Sequence, residues 1–72
     1  MDLCETERFT LAVEKGGVRQ KLAFRRTSDG WSCVITDKGG EYERTFDFIE
    51  DVTYYIGART LRADRVEMLE RG

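Results

Sequence analysis

Residues 9–24 read FTLAVEKGGVRQKLAF, and this stretch decides how the rest of the chain is arranged. Two runs in which apolar and polar residues alternate flank the glycine pair at 16–17. Glycine adopts the positive φ angles of a two-residue hairpin turn without steric cost, so the pattern predicts a β-hairpin. With both glycines in the turn, the pairing runs back to Arg8 opposite Arg25.

Successive side chains of a strand point to opposite faces of its sheet, so this register sorts the hairpin into two faces. The apolar face, which we expect to be buried, collects Phe9, Leu11, Val13, Leu22 and Phe24. The outward face collects Arg8, Thr10, Ala12, Glu14, Arg19, Lys21, Ala23 and Arg25. A slip of one residue would expose the whole apolar set, so the register is predicted to be well specified.

Two further alternating segments extend the hairpin into a meander. Residues 31–37 follow a turn at 27–30 whose tight pair is expected to be Asp-Gly, and residues 41–46 follow a turn at 38–40. The buried-face positions of these segments are Trp31, Cys33, Ile35, Tyr42, Arg44 and Phe46. Each turn preserves the parity set by the first hairpin, which predicts a four-stranded antiparallel β-meander.

The hydrophobic period changes after residue 46. Asp47, followed three residues later by a glutamate, resembles a helix capping box, and apolar residues then recur with helical spacing. Gly57 is predicted to end the helix, because glycine is the commonest residue just past a helix C-terminus. The helix is therefore expected at about residues 48–57, lying across the buried face of the sheet.

The tail at residues 58–72 fits more than one structure. Leu61, Val66, Met68 and Leu69 form a broad helical face, whereas Val66 and Met68 also share one face of a strand. Helix propensity favours a second helix, and continuation of the first helix through Gly57 is a third alternative. The predicted fold class is α+β: a four-stranded antiparallel β-meander with one face covered by a C-terminal helix, and a second short helix or strand in the tail.

The length of 72 residues predicts a single small domain, with residues 1–7 as a frayed lead-in. Twelve basic against 14 acidic residues, a net charge of −2, do not indicate a general nucleic-acid-binding or membrane-adsorbing protein. No apolar run spans a bilayer and no signal-peptide pattern is found. Two cysteines without ligand-like spacing favour free thiols in the cytoplasm, and so small a chain without disulfides favours a homodimer.

The sequence carries no catalytic or metal-binding motif, and we predict a non-enzymatic chain without a cofactor. Histidine is absent, which removes the commonest acid–base group and the commonest neutral metal ligand. Cys33 falls on the buried face and is interpreted as a core residue rather than a reactive thiol. The acidic residues between 41 and 51 lack the spacing of a calcium loop and are interpreted as solvated or helix-capping groups.

The outward face offers two candidate binding surfaces. The basic stripe, a candidate contact for nucleic acid or another anion, consists of Arg19, Lys21, Arg25 and the nearby Arg26. The candidate partner or dimer face consists of Ala12, Ala23 and Val34 on the outward face, with Tyr54, which lies on the helix off its apolar stripe, as a rim contact for a partner. Single-strand-binding platforms carry exposed aromatic side chains, which this face lacks, so nucleic acid is not favoured. The sequence predicts a small interaction module that self-associates or binds a protein, with single-stranded nucleic-acid binding through the basic stripe as the alternative.

Overall fold

Residues 7–71, the part of the chain that the computed structural model describes (at Arg71 the backbone alone), form one helix and one sheet. In chain order the elements are β1 (Arg8–Lys15), β2 (Val18–Thr27), β3 (Gly30–Asp37), β4 (Gly40–Phe46), α1 (Ile49–Thr60) and β5 (Arg65–Arg71). The five strands pair antiparallel in the order β4-β3-β2-β1-β5. The α+β class and the four-stranded meander are confirmed, with a fifth strand added beside β1. The predicted lead-in lies outside the described residues except for Glu7, whose carbonyl accepts a hydrogen bond from the Arg26 N–H at 2.7 Å.

The first hairpin has the predicted register over its whole length, from Lys15 opposite Val18 to Arg8 opposite Arg25. The two turn glycines have φ angles of 57° and 81°, which L-residues with a side chain rarely adopt. A cross-strand ion pair beside the turn joins Arg19 and Glu14 at 3.8 Å. Alternation and turn chemistry together therefore determine this hairpin.

The second turn differs from the prediction by one residue. Its loop is Ser28-Asp29, and Gly30 is already the first residue of β3, paired with Thr27. Gly30 has a φ of 147°, so the chain needs glycine here to enter the strand rather than to make the turn.

The core lies between α1 and the face of the sheet that the alternation predicted to be buried. Its buried members are Phe9, Leu11, Val13, Leu22, Phe24, Trp31, Cys33, Ile35, Val52 and Tyr55. The rings of Phe9 and Phe24 stack with centroids 4.8 Å apart, and Tyr55 of α1 packs edge-on against Phe24. One helix thus closes one face of the sheet.

The helix begins within one residue of the predicted start, but the predicted cap and the preferred end were wrong, and the alternative of continuation through Gly57 was correct. The N-cap is Phe48, without a side-chain hydrogen bond, so Asp47 is not the cap, and the helix continues through Gly57 to Thr60. The reason is distance: the chain must travel from β4 at one edge of the sheet to β5 at the other, about 19 Å across four strand spacings. Twelve helical residues rise about 18 Å, whereas a helix ending at Gly57 would stop short.

The preference for a helix in the tail was also wrong, because residues 65–71 form β5. Val66 lies opposite Val13 and Met68 opposite Leu11, so the strand alternative had the correct face. Without β5, β1 would be an edge strand like β4, with its outer backbone groups exposed to water, and Leu11 and Val13 would lose Met68 and Val66 as cross-strand neighbours. No helix within residues 7–71 is long and apolar enough to cross a membrane.

Candidate interaction surface

The side of the sheet opposite α1 is covered by no element of the described chain, and we call it the open face. Helix α1 packs on the other side, where the Tyr55 ring lies 5.3 Å from the Phe46 ring and 6.5 Å from the Phe24 ring. The strand registers place one uncharged row across the middle of the open face, where Thr10, Ala23 and Val34 are neighbours on β1, β2 and β3. This row ends in a glutamate on each edge strand, Glu70 on β5 and Glu43 on β4.

The middle of the open face is a shallow depression of about 320 Å³. Its floor is formed by the small or uncharged side chains of Thr10, Ala23, Ser32 and Val34. Its rim carries both signs of charge, from Arg8, Arg25, Glu43 and Glu70. Charged residues therefore surround a centre that has no charge of its own.

Three of the four residues predicted for the partner face lie together here, and one does not. Ala23 and Val34 are directly paired and half-buried, with Ala12 one strand away. Ala12 is only 3 % exposed, because its register neighbours Lys21 and Glu67 carry long side chains on either side of it. Tyr54 is 80 % exposed, but it lies on α1 and therefore on the opposite side of the sheet.

The basic stripe is also only partly assembled as predicted. Arg19, Lys21 and Arg25 are exposed and share the open face of β2. Arg26 pairs with Trp31, a core residue, so its Cβ points to the other face of the strand. The stripe on the open face therefore has three members.

Acidic residues line both edges of the open face, on either side of the basic strand β2. Glu41 and Glu43 lie on β4, at one edge, and Glu67 and Glu70 lie on β5, at the other. The β5 half of this pattern was missed because the tail was expected to be helical, although the alternation of Glu67 with Val66 and Met68 could have signalled it. The open face is therefore basic along its middle strand and acidic along both edges.

Several of these charges are paired within the chain, and others are not. Arg8 contacts Glu70 at 3.4 Å, and Arg65 contacts Glu67 at 3.7 Å, both as exposed pairs. Within residues 7–71, Lys21, Arg25 and Glu43 form no ion pair. Glu41, on the same face, also forms no ion pair within the described residues, so two acidic and two basic groups on the open face are left to interact with something else.

On the covered side, two arginines flank Tyr55. The guanidinium carbons of Arg44 and Arg59 each lie 5.0 Å from the centre of the Tyr55 ring, within cation–π distance. The Tyr55 hydroxyl is buried and has no hydrogen-bond partner in the described part of the chain. Arg44 was predicted to face inward, and its contact with the ring explains how a charged residue occupies that position.

We expect Tyr55→Phe to raise the free energy of unfolding by about 1 kcal/mol, because it removes a buried polar atom whose hydrogen bonds to water are lost on folding. Urea denaturation measures the change. Tyr54→Phe, at an exposed hydroxyl, is the matched control and should change stability by less than about 0.5 kcal/mol. A less stable Tyr55→Phe would show that the hydroxyl is hydrogen-bonded in the folded state.

Cys33 is fully buried in the core, as the strand parity predicted. Burial raises the pKa of its thiol to about 11, and the charges of Arg59 and Arg44 only partly oppose this shift. The thiol is therefore protonated at neutral pH, which disfavours attack on an electrophile. The sequence did not reveal the two cationic neighbours, because Arg59 reaches this region only through the longer helix.

The acidic residues between 41 and 51 are separated by the sheet. Glu41 and Glu43 lie on the open face of β4. Glu50 and Asp51 lie in the first turn of α1 on the other side, where their negative charges interact favourably with the positive end of the helix dipole. Among the described residues, no group of three or more acidic or cysteine side chains is arranged to hold a metal ion.

Comparison of the chain with protein-family models, curated proteins and solved structures finds no match in any of the three.

Proposed function

We propose that this chain is a small, non-catalytic interaction module that self-associates through the open face of its sheet. The observation that supports this function is the uncharged depression at the centre of that face, surrounded by charges of both signs. Interfaces between proteins commonly have such an anatomy, with a core depleted of charge and a polar rim.

The size of the chain adds a second argument. A domain of 72 residues buries only about 60% of its unfolded surface, and Cys33 is unpaired, so no disulfide at this position stabilises the core. A second copy on the open face would bury further surface. The free energy of association would then add to the stability of each copy.

Ala23→Glu is expected to abolish self-association while leaving the fold intact. Ala23 lies on the central strand of the open face, so a carboxylate there would be desolvated in a dimer but not in the monomer. Sedimentation equilibrium from about 10 μM to about 1 mM, the range that a small interface requires, measures the mass relative to the monomer value of 8.4 kDa.

Ala58→Glu is the matched control, since it makes the same change of charge at an exposed helix position on the other side of the sheet. It should associate like the unmodified chain, and circular dichroism should show both variants folded. If Ala23→Glu retains the concentration-dependent mass, or if the unmodified chain is monomeric throughout, the proposal is wrong.

Single-stranded nucleic-acid binding is the second candidate, and one observation favours it. Arg8, Arg25 and Arg26 line a single depression of about 700 Å³ where β1 and β2 meet the second turn. Phe48 is 66 % exposed and lines the neighbouring depression together with Arg26. An exposed aromatic ring beside arginines is the arrangement on which single-stranded bases stack.

Titration of the isotope-labelled chain with a mixed-sequence single-stranded oligonucleotide tests this candidate. Amide shifts are expected at Arg25, Arg26 and Phe48, and should fade as salt rises, because phosphate contacts release counterions. Phe48→Ala should weaken binding, whereas Leu61→Ala, which truncates another exposed apolar side chain, should not. Absence of shifts at low salt would exclude this function.

A further inference from the structure

We propose that two copies of the chain pack their open faces together with the strands of one copy crossing those of the other at about 90°. This inference rests on the proposed function and specifies its geometry. The charge pattern is the reason: the open face is basic along one direction and acidic at both ends of the perpendicular direction. Aligned packing would stack the basic strand β2 on β2 of the second copy, whereas crossed packing places acidic edges over it.

The distances in the two directions are similar enough for this superposition. Along β2, Lys21 and Arg25 each lie two residues from Ala23, or about 7 Å. Across the sheet, Glu43 and Glu70 each lie two strands from Ala23, or about 10 Å. Long side chains bridge the difference. A rotation by 90° about Ala23 therefore brings each glutamate of one copy near a basic residue of the other.

A two-fold axis that lies between the two faces and runs along a diagonal of the open face produces this crossing. There are two diagonals, and the residues on them favour one. One diagonal runs through Ala12, Ala23 and Ser32, all small, so the two copies can approach closely along it. The other diagonal passes through Arg8, and a two-fold axis there would place Arg8 against Arg8 of the second copy. Repulsion disfavours that arrangement.

A two-fold axis along the first diagonal determines which charged residues of the two copies meet. It places Glu43 of the second copy over Arg25, and Glu70 of the second copy over Lys21, and by symmetry each contact occurs twice. Arg25, Lys21 and Glu43 are three of the four open-face groups that form no ion pair within residues 7–71, and Glu41 is the fourth. Crossed packing therefore provides partners for charges that the single chain leaves unpaired.

The area of the open face predicts a weak dimer. Five strands about 4.8 Å apart and some seven residues long cover about 24 by 23 Å, or about 550 Å² on each copy. Two such faces bury about 1,100 Å², near the lower limit for a specific interface. The association is therefore expected in the micromolar range or weaker, and it should weaken further as salt screens the charge contacts.

Mixing two charge-reversal variants tests the crossing. Arg25→Glu alone and Glu43→Arg alone each bring like charges together twice per dimer, and each should raise the dissociation constant about tenfold. In an equimolar mixture, the heterodimer restores opposite charges at both contacts, so the mixture should associate about as well as the unmodified chain. Sedimentation equilibrium of the separate variants and of the mixture measures this.

The outcomes separate the geometry from the function on which it rests. Weaker association of both single variants together with recovery in the mixture supports crossed packing, because aligned packing places position 43 opposite Glu43 or Glu70 of the second copy, where Glu43→Arg alone would not weaken the dimer. If Ala23→Glu abolishes association but the mixture associates no better than its components, the crossing is wrong and the self-associating face stands. If Ala23→Glu leaves association unchanged, both are wrong. Arg62→Glu, outside the open face, controls for net charge.

Discussion

Replacing Phe24 with alanine is expected to lower the free energy of unfolding by about 3–5 kcal/mol. Phe24 is 1 % exposed on the central strand β2, stacked on Phe9 and covered by Tyr55 of α1. Truncation removes one of the contacts between the sheet and the helix, that of Phe24 with Tyr55, and leaves a cavity that neither neighbour can fill without moving. A chain of 72 residues has roughly 4–11 kcal/mol of stability in total, so the variant should be partly or wholly unfolded at room temperature.

Urea denaturation followed by tryptophan fluorescence measures this loss, because Trp31 is the single tryptophan and is buried in the same core. Phe48→Ala is the matched control: it deletes the same atoms from an exposed position and should cost less than about 0.5 kcal/mol. Similar losses for the two variants would contradict the assignment of Phe24 as the central core residue.

Gly30→Ala is the second large effect, with an expected loss of more than about 3 kcal/mol. Two costs combine at this position. Its φ of 147° lies in a region that residues with a side chain rarely adopt. A Cβ atom there would also overlap the backbone carbonyl oxygen of Phe46 and approach the Asp47 Cα to 3.1 Å, and backbone atoms cannot rotate away.

Alanine substitutions at two other glycines distinguish the conformational cost of the φ angle from the cost of steric overlap. Gly40→Ala has a similar backbone conformation, with φ 131°, but open space around the added methyl group, so it should show the conformational cost without the overlap. Gly57→Ala lies inside α1 with a free environment, and it should stabilise the chain by about 0.5–1 kcal/mol. Urea denaturation should therefore rank Gly30→Ala below Gly40→Ala and Gly57→Ala above the unmodified chain. Any other order would show that the backbone around Gly30 adjusts.

The open face illustrates how much of a candidate site alternation can reveal. The sequence placed Ala12, Ala23 and Val34 on one face, because strand periodicity assigns every residue of a paired strand to one side. It did not reveal that α1 runs as far as Thr60 on the other side or that β5 supplies the second acidic edge. Those facts depend on where α1 crosses the sheet and on which strand edge the tail joins, and neither is a local property.

Local chemistry determined the meander. The glycine turn at 16–17 and the two-residue period fix the register of β1 with β2, and each later strand inherits its parity from the one before it, since a shift of one residue would expose the apolar face. The end of α1 and the identity of β5 were decided only by the tertiary structure. Residues 58–72 are compatible with helix or strand by themselves; the width of the sheet sets the length of the helix, and the unpaired edge of β1 makes the tail a strand.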